Sequence, residues 1–312
     1  MPHLAACLAP LFLLGGCAGT LEPEDALTVV PYVLQPSGRI LVDVRIDGRG
    51  PYPFALDTAA SISFIFDEYR RELALTVLPD QGATIRGVMA TGRFPLVHVD
   101  RLDVGSEVWS DVRLVSLPGD TDVAAGLAGV LGMDFLRRYG VGFFTADRVV
   151  HLYRPERVSD NSYRGWATVP LQPVRVGETS EPLYFFQIEI GGRSLPALFD
   201  LGAGLNMINR SGADYLHLVP LGAPQNLVLS DVLESASILA QLGSEEVATA
   251  GIRWRNEKFL IADLEVFVTL LGEDGPLAIL GSGLFNQRDF VIDFADSRLL
   301  VRAAMEEVDS GL

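Results

Sequence analysis

Apolar and polar residues alternate along most of this chain, and short turns rich in glycine and aspartate interrupt the alternation. Alternation with a period of two residues predicts a β-strand with one buried face. Clear examples are 40–46, which an Asp-Gly turn closes, and 185–190, which a Gly-Gly turn closes. A glycine turn directly after an alternating run is typical of a β-hairpin. The pattern therefore predicts a mainly β protein.

Other stretches divide the chain into two lobes. Further strands are predicted at 96–104, 109–117, 141–153, 226–233, 259–271 and 290–302, and short helices at 67–74, 133–139 and 210–216. The segment 154–165 is polar and lacks apolar periodicity, so we interpret it as a linker between an N-terminal lobe at 28–153 and a C-terminal lobe at 166–303. The tail at 304–312 is acidic, and we expect it to be loose.

One pattern of residues occurs twice in the chain. Residues 53–65 read PFALDTAASISFI, and residues 196–208 read PALFDLGAGLNMI. In each copy an apolar run ends in an aspartate, Asp57 or Asp200, and small residues follow before the chain becomes apolar again. A strand that ends in aspartate and a turn of small residues places a carboxylate at a loop tip, close to backbone N–H groups.

A second pair of similar segments lies downstream of the aspartates. Residues 129–136 read GVLGMDFL and residues 278–285 read AILGSGLF, so apolar residues precede Gly132 and Gly281. The order of the two motifs is the same in both halves, which indicates an internal duplication. The sequence therefore predicts two lobes of the same architecture.

The duplication gives the two aspartates a chemical meaning. If the lobes pack about a pseudo-twofold axis, the carboxylates of Asp57 and Asp200 face each other. Two carboxylates about 3 Å apart share a proton and titrate as a pair. The ionised member can take a proton from water while the protonated member polarises a carbonyl, which is general acid–base catalysis of amide hydrolysis. We therefore predict that Asp57 and Asp200 are the catalytic residues.

With these motifs the sequence resembles the aspartic peptidases, particularly the bacterial retropepsin-like and pepsin-like proteins. Their marker is an apolar strand that ends in Asp-Thr/Ser-Gly, followed later by two apolar residues and a glycine. The resemblance implies a mainly β, bilobal aspartic-protease fold with two pseudo-twofold-related, closed β-barrel-like lobes. It implies an endopeptidase that acts on peptide or protein substrates without a cofactor or metal. It also implies that Gly132 and Gly281 give the second motif room beside the catalytic loop.

The residues that follow each aspartate depart from the family pattern at two positions. In the family, a hydroxyl after the aspartate bonds across to the opposite loop and supports the dyad, a role that the resemblance gives to Thr58. Ala59 stands where glycine is usual. In the second loop Leu201 replaces the hydroxyl residue, whereas Gly202 keeps the glycine. Because both aspartates lie in one chain, a monomer is expected.

The family also has a flap, which is a hairpin that closes over substrate between the two motifs. The first copy offers a glycine-flanked segment at 85–92, with these candidate flap residues: Gly87, Val88, Met89 and Gly92. The segment 227–244 of the second copy has no comparable tip, so a single flap over the first aspartate is expected.

Composition and charge narrow the class of protein. The chain has 24 Lys and Arg against 40 Asp and Glu, a net charge of −16, which argues against a nucleic-acid partner because phosphate contacts need clustered basic residues. Both cysteines, Cys7 and Cys17, precede the predicted lobes, so neither a disulfide framework nor a cysteine-rich zinc site is predicted there.

The beginning of the chain resembles a bacterial lipoprotein signal peptide at 1–16. The apolar run 4–14 is too short to span a bilayer but fits a secretory signal. The string LGGC resembles a lipobox, in which Cys17 becomes the lipidated first residue and 17–27 a tether. Because Ala18 follows the cysteine, the resemblance implies an outer-membrane anchor facing the periplasm. An ordinary secretory signal and an apolar N-terminal helix remain alternatives.

Two simpler interpretations also stay open. Aspartate is common in turns, so either loop aspartate taken alone could be a turn-forming residue. Other aspartates are interpreted as solvated or capping residues: Asp43, Asp47, Asp103 and Asp134. The chain could also be a catalytically weak or inactive peptide-binding lipoprotein of the same fold, since Leu201 removes one hydroxyl from the site.

Overall fold

A computed structural model describes residues 26–86, 91–119, 126–159, 166–176, 181–222, 228–230, 235–237, 240–241, 245–262, 264–271 and 275–302. The predicted signal peptide with Cys17, the predicted flap tip at 87–90 and the acidic tail lie outside these residues. The predictions made for those three segments stay predictions.

The first copy is built almost entirely from strands. Its strands are β1 (Thr28–Leu34), β2 (Ile40–Ile46), β3 (Arg49–Leu56), β4 (Phe64–Phe66), β5 (Val77–Arg86), β6 (Thr91–Val104), β7 (Glu107–Leu117), β8 (Gly129–Leu131), β9 (Gly140–Phe144) and β10 (Val149–Tyr153). Two short helices, α1 (Asp67–Glu72) and α2 (Met133–Leu136), begin where the sequence predicts and end two and three residues earlier.

Six strands of the first copy close into a barrel. Going round the ring, the order is β2, β3, β8, β4, β7 and β6, and β6 pairs with β2 again. Two of the neighbouring pairs, β3 with β8 and β4 with β7, are parallel. Closure leaves no free strand edge within the ring, so the loop after β3 is carried by a rigid frame.

The second copy is also built mainly from strands. Its elements, with the short helix α3 (Pro155–Ser159) before them, are β11 (Trp166–Pro170), β12 (Gln172–Val174), β13 (Leu183–Ile190), β14 (Arg193–Asp200), β15 (Asn206–Ile208), α4 (Arg210–Leu216), β16 (Val228–Ser230), β17 (Ser235–Ser237), β18 (Ala240–Gln241), β19 (Glu245–Thr249), β20 (Ile252–Glu257), β21 (Phe259–Ile261), α5 (Glu265–Leu271), β22 (Ala278–Gly281), α6 (Ser282–Phe285), β23 (Phe290–Asp293) and β24 (Arg298–Arg302).

The second sheet is a half-barrel within the part of the chain that the structure describes. The parallel pairs β14–β22 and β15–β21 correspond to β3–β8 and β4–β7 of the first copy. The counterpart of β7 is divided into β20 and β21 at Lys258, two residues after Asn256, which has a positive φ of 62°. The hydrogen-bonded path therefore runs from β18 to β20 without returning on itself. The mainly β, bilobal fold class is confirmed, and the two lobes differ in closure.

The hairpin turns form as the sequence predicts. Asp47 and Gly48 between β2 and β3 have φ values of 49° and 76°, and Gly191 and Gly192 between β13 and β14 have values of 57° and 76°. Two successive positive φ angles are the geometry of a type I′ turn, which matches the twist of a two-stranded hairpin. Both hairpins lead directly into the strands that carry the aspartates.

A shared sheet joins the two copies. Its order is β11, β24, β23, β9, β10 and β1, so three strands of the second copy continue into three strands of the first in one hydrogen-bonded structure. Phe290 of β23 pairs with Phe143 of β9, and their rings stack with centroids 4.5 Å apart. The main apolar cluster also contains residues of both copies, among them Phe199 and Phe135. The relative placement of the two aspartate loops is thus fixed by backbone pairing and by a common core.

The prediction of one strand over 259–271 is wrong beyond Ile261. Residues 265–271 form α5. Leu264, just before the helix, and Phe267 within it are buried, while Val268 is 51% exposed. Burial at a spacing of three residues is the helical period, whereas the polar residues Asp263 and Glu265 between apolar neighbours favour a strand in the sequence.

The predicted linker is also more structured than its polarity suggests. Residues 155–159 form α3, and Val158 is fully buried with Tyr153, Val291 and Leu300. One apolar residue in a polar segment therefore fastens the connection against both copies. Within the described residues, no helix is long and apolar enough to cross a membrane.

Candidate active site

Asp57 lies directly after β3 in a loop of small residues. Its backbone N–H donates to the carbonyl of Leu131 on the parallel neighbour β8, at 3.1 Å. Gly132 follows, and a Cβ on it would lie 2.5 Å from the carbonyl oxygen of Ala60. A side chain at this position would therefore collide with the aspartate loop, so glycine allows the two segments to lie side by side.

Asp200 occupies the corresponding position in the second copy. It is the last residue of β14, and its partner on β22 is Gly281. A Cβ on Gly281 would lie 2.6 Å from the carbonyl oxygen of Ala203 and 2.7 Å from that of Leu205. Each copy thus uses a glycine to bring its second motif against its aspartate loop.

Each loop holds its carboxylate in the same way. The Oδ1 atom of Asp57 accepts the N–H groups two and three residues further on, at 2.7 and 3.0 Å. The Oδ1 atom of Asp200 accepts the equivalent groups at 2.9 and 3.0 Å. The first of the donors to Asp57 belongs to Ala59, so alanine in place of the usual glycine leaves the pattern intact.

Thr58 links the two loops across the molecule. Its side chain is fully buried, and its hydroxyl donates to the carbonyl of Phe199 at 2.8 Å. The same oxygen accepts the N–H of Leu201 at 3.0 Å. One side chain of the first copy therefore satisfies one acceptor and one donor on the backbone of the second copy.

Leu201 makes the arrangement one-sided. It is fully buried in the main apolar cluster and has no hydroxyl with which to return the bond from the second loop to the first. The cross-loop hydroxyl contact thus depends on Thr58. The asymmetry follows from the leucine that the sequence has at position 201 in place of a hydroxyl residue.

Gly202 brings the two carboxylates into one site. A Cβ on Gly202 would lie 2.2 Å from Oδ2 and 2.3 Å from Cγ of Asp57, so the first carboxyl group packs directly on the second loop. The N–H of Gly202 donates at the same time to Asp200. The structure thus brings together the two aspartates that the sequence selects.

The electrostatic environment separates the two acids. Asp200 is 5% exposed, whereas Asp57 is only partly buried. Burial, and then the nearby charge of Asp57, raise the pKa of Asp200 to about 8, against the opposing effect of its N–H donors and of Arg39. The environment of Asp200 therefore favours its protonated form at neutral pH.

Hairpins lie between the two motifs in both copies. The arms of the predicted flap are β5 and β6, and Gly92 lies opposite Ile85 where they pair. Gly87, Val88 and Met89 lie outside the described residues. In the second copy β16 and β17 also form an antiparallel hairpin, which the sequence did not predict.

Two supporting residues escaped the sequence interpretation. Asp134 accepts from both the hydroxyl (2.5 Å) and the N–H (2.9 Å) of Ser63, and that hydroxyl accepts the N–H of Gly132 at 3.0 Å. Burial raises the pKa of Asp134. Of the two interpretations, a solvated or a capping residue, the bond from the N–H of Phe135 in the first turn of α2 fits the second. Arg39 is the second supporting residue, and its Nε donates a hydrogen bond to the carbonyl of Gly202 at 3.1 Å.

The sequence offers a signal for Asp134 but none for Arg39. Asp134 follows Gly132 closely in the second motif of the first copy, so its position in the motif could have marked it. Arg39 lies in a polar turn and becomes part of the site only through contact with the other copy. Among the described residues, no group of three or more His, Cys, Asp and Glu side chains could hold a metal ion.

Comparison with known proteins agrees with the geometry. Residues 42–138 match the family described as "gag-polyprotein putative aspartyl protease". The matched range contains Asp57, Thr58 and Gly132 and ends before the second copy begins. No curated protein matches the chain. The match supports an aspartic protease-like family for this protein, and a hydrolase of the aspartic protease type.

Replacement of Thr58 by valine is expected to lower the free energy of unfolding by about 2–4 kcal/mol, because two buried backbone groups lose their partner. Replacement by serine keeps the hydroxyl and is expected to cost about 1 kcal/mol for the lost methyl group. Urea titrations of the three proteins measure the difference. Equal stability of the Val and Ser variants would show that the hydroxyl does not link the loops.

Proposed function

We propose that the protein is an aspartic endopeptidase in which Asp57 and Asp200 activate a water molecule between them. The observation that carries the proposal is the packing of the Asp57 carboxyl group on Gly202, whose N–H binds Asp200. Two equivalent loops place two acids at one point between two lobes. Asp200 is the more deeply buried of the two acids.

The geometry supports a division of roles. Asp57 is the more exposed acid and acts in ionised form as the base that takes a proton from water. Asp200, with its pKa raised to about 8, is protonated at neutral pH and donates a hydrogen bond to the oxygen of the scissile carbonyl. The hydroxide attacks the carbonyl carbon, and the oxygen takes the proton of Asp200.

Collapse of the tetrahedral intermediate completes the reaction. Asp200 recovers its proton from the gem-diol, and Asp57 gives the proton taken from water to the leaving nitrogen. The carbon–nitrogen bond breaks, and one carboxylic acid and one amine are released. The N–H donors at each Oδ1 hold the carboxylates in place, so little reorganisation accompanies the proton transfers.

Peptide or protein substrate would lie between the lobes, with the β5–β6 hairpin and its residues Gly87 to Gly92 as the flap. Because the chain carries both aspartates, it would act as a monomer. Cys17 would hold it by a lipid anchor to the bacterial outer membrane, facing the periplasm.

A second candidate is a peptide-binding protein of the same fold that has lost most of its catalysis. The observation that favours it is Leu201, which leaves the cross-loop hydroxyl contact dependent on Thr58. The loops and both carboxylates are nevertheless held in equivalent geometry, so the enzyme is the function that the site supports better.

Cleavage of a denatured protein by the soluble chain that begins after Cys17 tests the proposal. Asp57→Asn and Asp200→Asn are each expected to reduce the cleavage rate on the order of a thousandfold, because each removes a proton carrier. Asp43→Asn, an exposed aspartate on β2, is the matched control and is expected to cleave as the wild type does. Peptide fragments are quantified by mass spectrometry.

Three results would contradict the mechanism or favour the second candidate. Unchanged cleavage in both Asn variants at the loops would exclude the aspartate mechanism. An equal loss in Asp43→Asn would show that the effect is not specific to the site. Binding of peptides by a wild-type protein that cleaves none of them would support the peptide-binding alternative.

The cleavage rate is expected to fall as the pH rises through about 8, the pKa of Asp200. The protonated form of Asp200 is the active one, so activity is present below this pKa and is lost above it, on the order of tenfold per pH unit. Initial rates measured from pH 5 to pH 10 test this. A rate that is constant across the range would contradict the role of Asp200.

The free energy of unfolding reports the titration of Asp200 without any substrate. Because folding raises the pKa of Asp200 from 3.8 to about 8, its contribution to stability is present below pH 3.8 and is lost between those values as the pH rises. In Asp200→Asn this loss is absent. The two proteins are therefore expected to diverge in unfolding free energy toward pH 8, with the variant more stable.

Lipidation is tested in a bacterium that expresses the full chain with labelled palmitate. The wild type is expected to incorporate label and to fractionate with membranes, whereas Cys17→Ser is expected to do neither, because the thiol is the attachment point. Cys7→Ser is the matched control and keeps the label. Label retained in Cys17→Ser would contradict the anchor.

A further inference from the structure

Arg39 reaches the aspartate site from a turn of the first copy that contacts the second. The turn precedes β2 and is closed by two backbone hydrogen bonds of Gln35. Its N–H donates to the carbonyl of Arg39 at 2.9 Å, and its carbonyl accepts from the N–H of Gly38 at 2.8 Å. The carbonyl of Gly38 accepts from Ser282 Oγ (2.7 Å) and Asn286 Nδ2 (3.1 Å) of the second copy. Arg39 therefore extends from backbone that both copies hold in place.

The guanidinium acts on Asp200 through one peptide group. The Nε of Arg39 donates to the carbonyl of Gly202 at 3.1 Å. The same peptide group carries the N–H of Ala203, which donates to Oδ1 of Asp200 at 3.0 Å. A positive donor on the oxygen polarises the peptide and strengthens the bond made by its N–H. Arg39 and Asp200 are thus at the two ends of one hydrogen-bonded chain.

The first aspartate loop has no equivalent of this arginine from the corresponding strand. By strand pairing, Leu41 lies opposite Ala55 just as Phe185 lies opposite Leu198, so the position equivalent to Arg39 is Leu183. Leu183 is buried and apolar and cannot donate a hydrogen bond. Arg39 therefore contacts the second aspartate loop, which has Leu201 in place of a hydroxyl residue.

We propose that Arg39 is a positioning residue of the aspartate pair, which secures the Asp200 loop through the Gly202–Ala203 peptide group where Leu201 cannot. The inference rests on the proposed function. Two side chains of the first copy then support the aspartate loop of the second. Thr58 holds the backbone before Gly202, and Arg39 holds the peptide group after it.

The charge of Arg39 adds to this mechanical role. The charged groups that act on Asp200 are Asp57 and Arg39, which have opposite effects. Burial and the charge of Asp57 raise the pKa of Asp200, whereas the N–H donors and the charge of Arg39 lower it. Loss of the arginine is therefore expected to raise this pKa further.

Three variants separate these effects. Arg39→Gln removes the charge, and Arg39→Lys keeps the charge but not the planar donor group. Arg45→Gln is the matched control, because Arg45 is an exposed arginine of the adjoining strand β2 and donates to Gly50. Each protein is examined for kcat, KM and the pH dependence of cleavage. The titration midpoint of the Asp200 carboxyl carbon is followed by NMR, with Asp200→Asn used to identify the signal.

Arg39→Gln is expected to lower kcat about tenfold with a smaller change in KM, because a charge-assisted bond to the catalytic loop is lost. Its alkaline limb of activity and its carboxyl midpoint move together to higher pH. Arg39→Lys restores the midpoint toward the wild-type value while kcat stays reduced. Arg45→Gln behaves as the wild type in all three measurements.

The outcomes distinguish this inference from the proposed function. If the wild type cleaves nothing, the proposed function fails, and the NMR midpoint still decides whether Arg39 acts on Asp200. An unchanged midpoint in Arg39→Gln overturns the inference, whatever happens to activity. A loss of activity without movement of the alkaline limb also overturns it, since that pattern is what a general structural role would produce.

Discussion

The site depends on the bonds that the Thr58 hydroxyl makes to the backbone of the other copy. A buried hydroxyl that donates to one carbonyl and accepts from one N–H is fully satisfied only if both loops are in register. The closed barrel of the first copy and the shared sheet bring the loops within reach. Thr58 then converts approximate proximity into a defined position for the two carboxylates.

The same interior that holds the loops makes the site energetically unfavourable. Burial of Asp200 close to a second acid disfavours its charged form, so its protonated form is favoured. The cost is tolerated because the surrounding sheets and the common core supply far more stabilisation than one acid removes. A chemically useful proton and a local loss of stability are therefore two results of one environment.

The sequence predicts the fold where local chemistry determines the structure. The Asp47-Gly48 turn and the alternating strands before each aspartate need no information from distant residues, and they form as predicted. The strand prediction over 259–271 failed because Asp263 and Glu265, two positions apart among apolar residues, imitate the alternation of a strand, and only packing selected a helix for its second part. In the site, repetition alone identified Asp57 and Asp200. Arg39 could not be found in that way, because its importance arises from a contact between residues 163 positions apart.

Covalent connection of the two copies has a consequence for how the site can vary. In a symmetric assembly of two identical chains, any replacement enters both loops at once, so a leucine after the aspartate would delete both hydroxyls together. In a single chain with two copies, Leu201 can replace one hydroxyl while Thr58 retains the other. Each half is thus free to differ, and here one aspartate is buried while the other is only partly buried. The asymmetry of the aspartate pair is a freedom that duplication within one polypeptide provides.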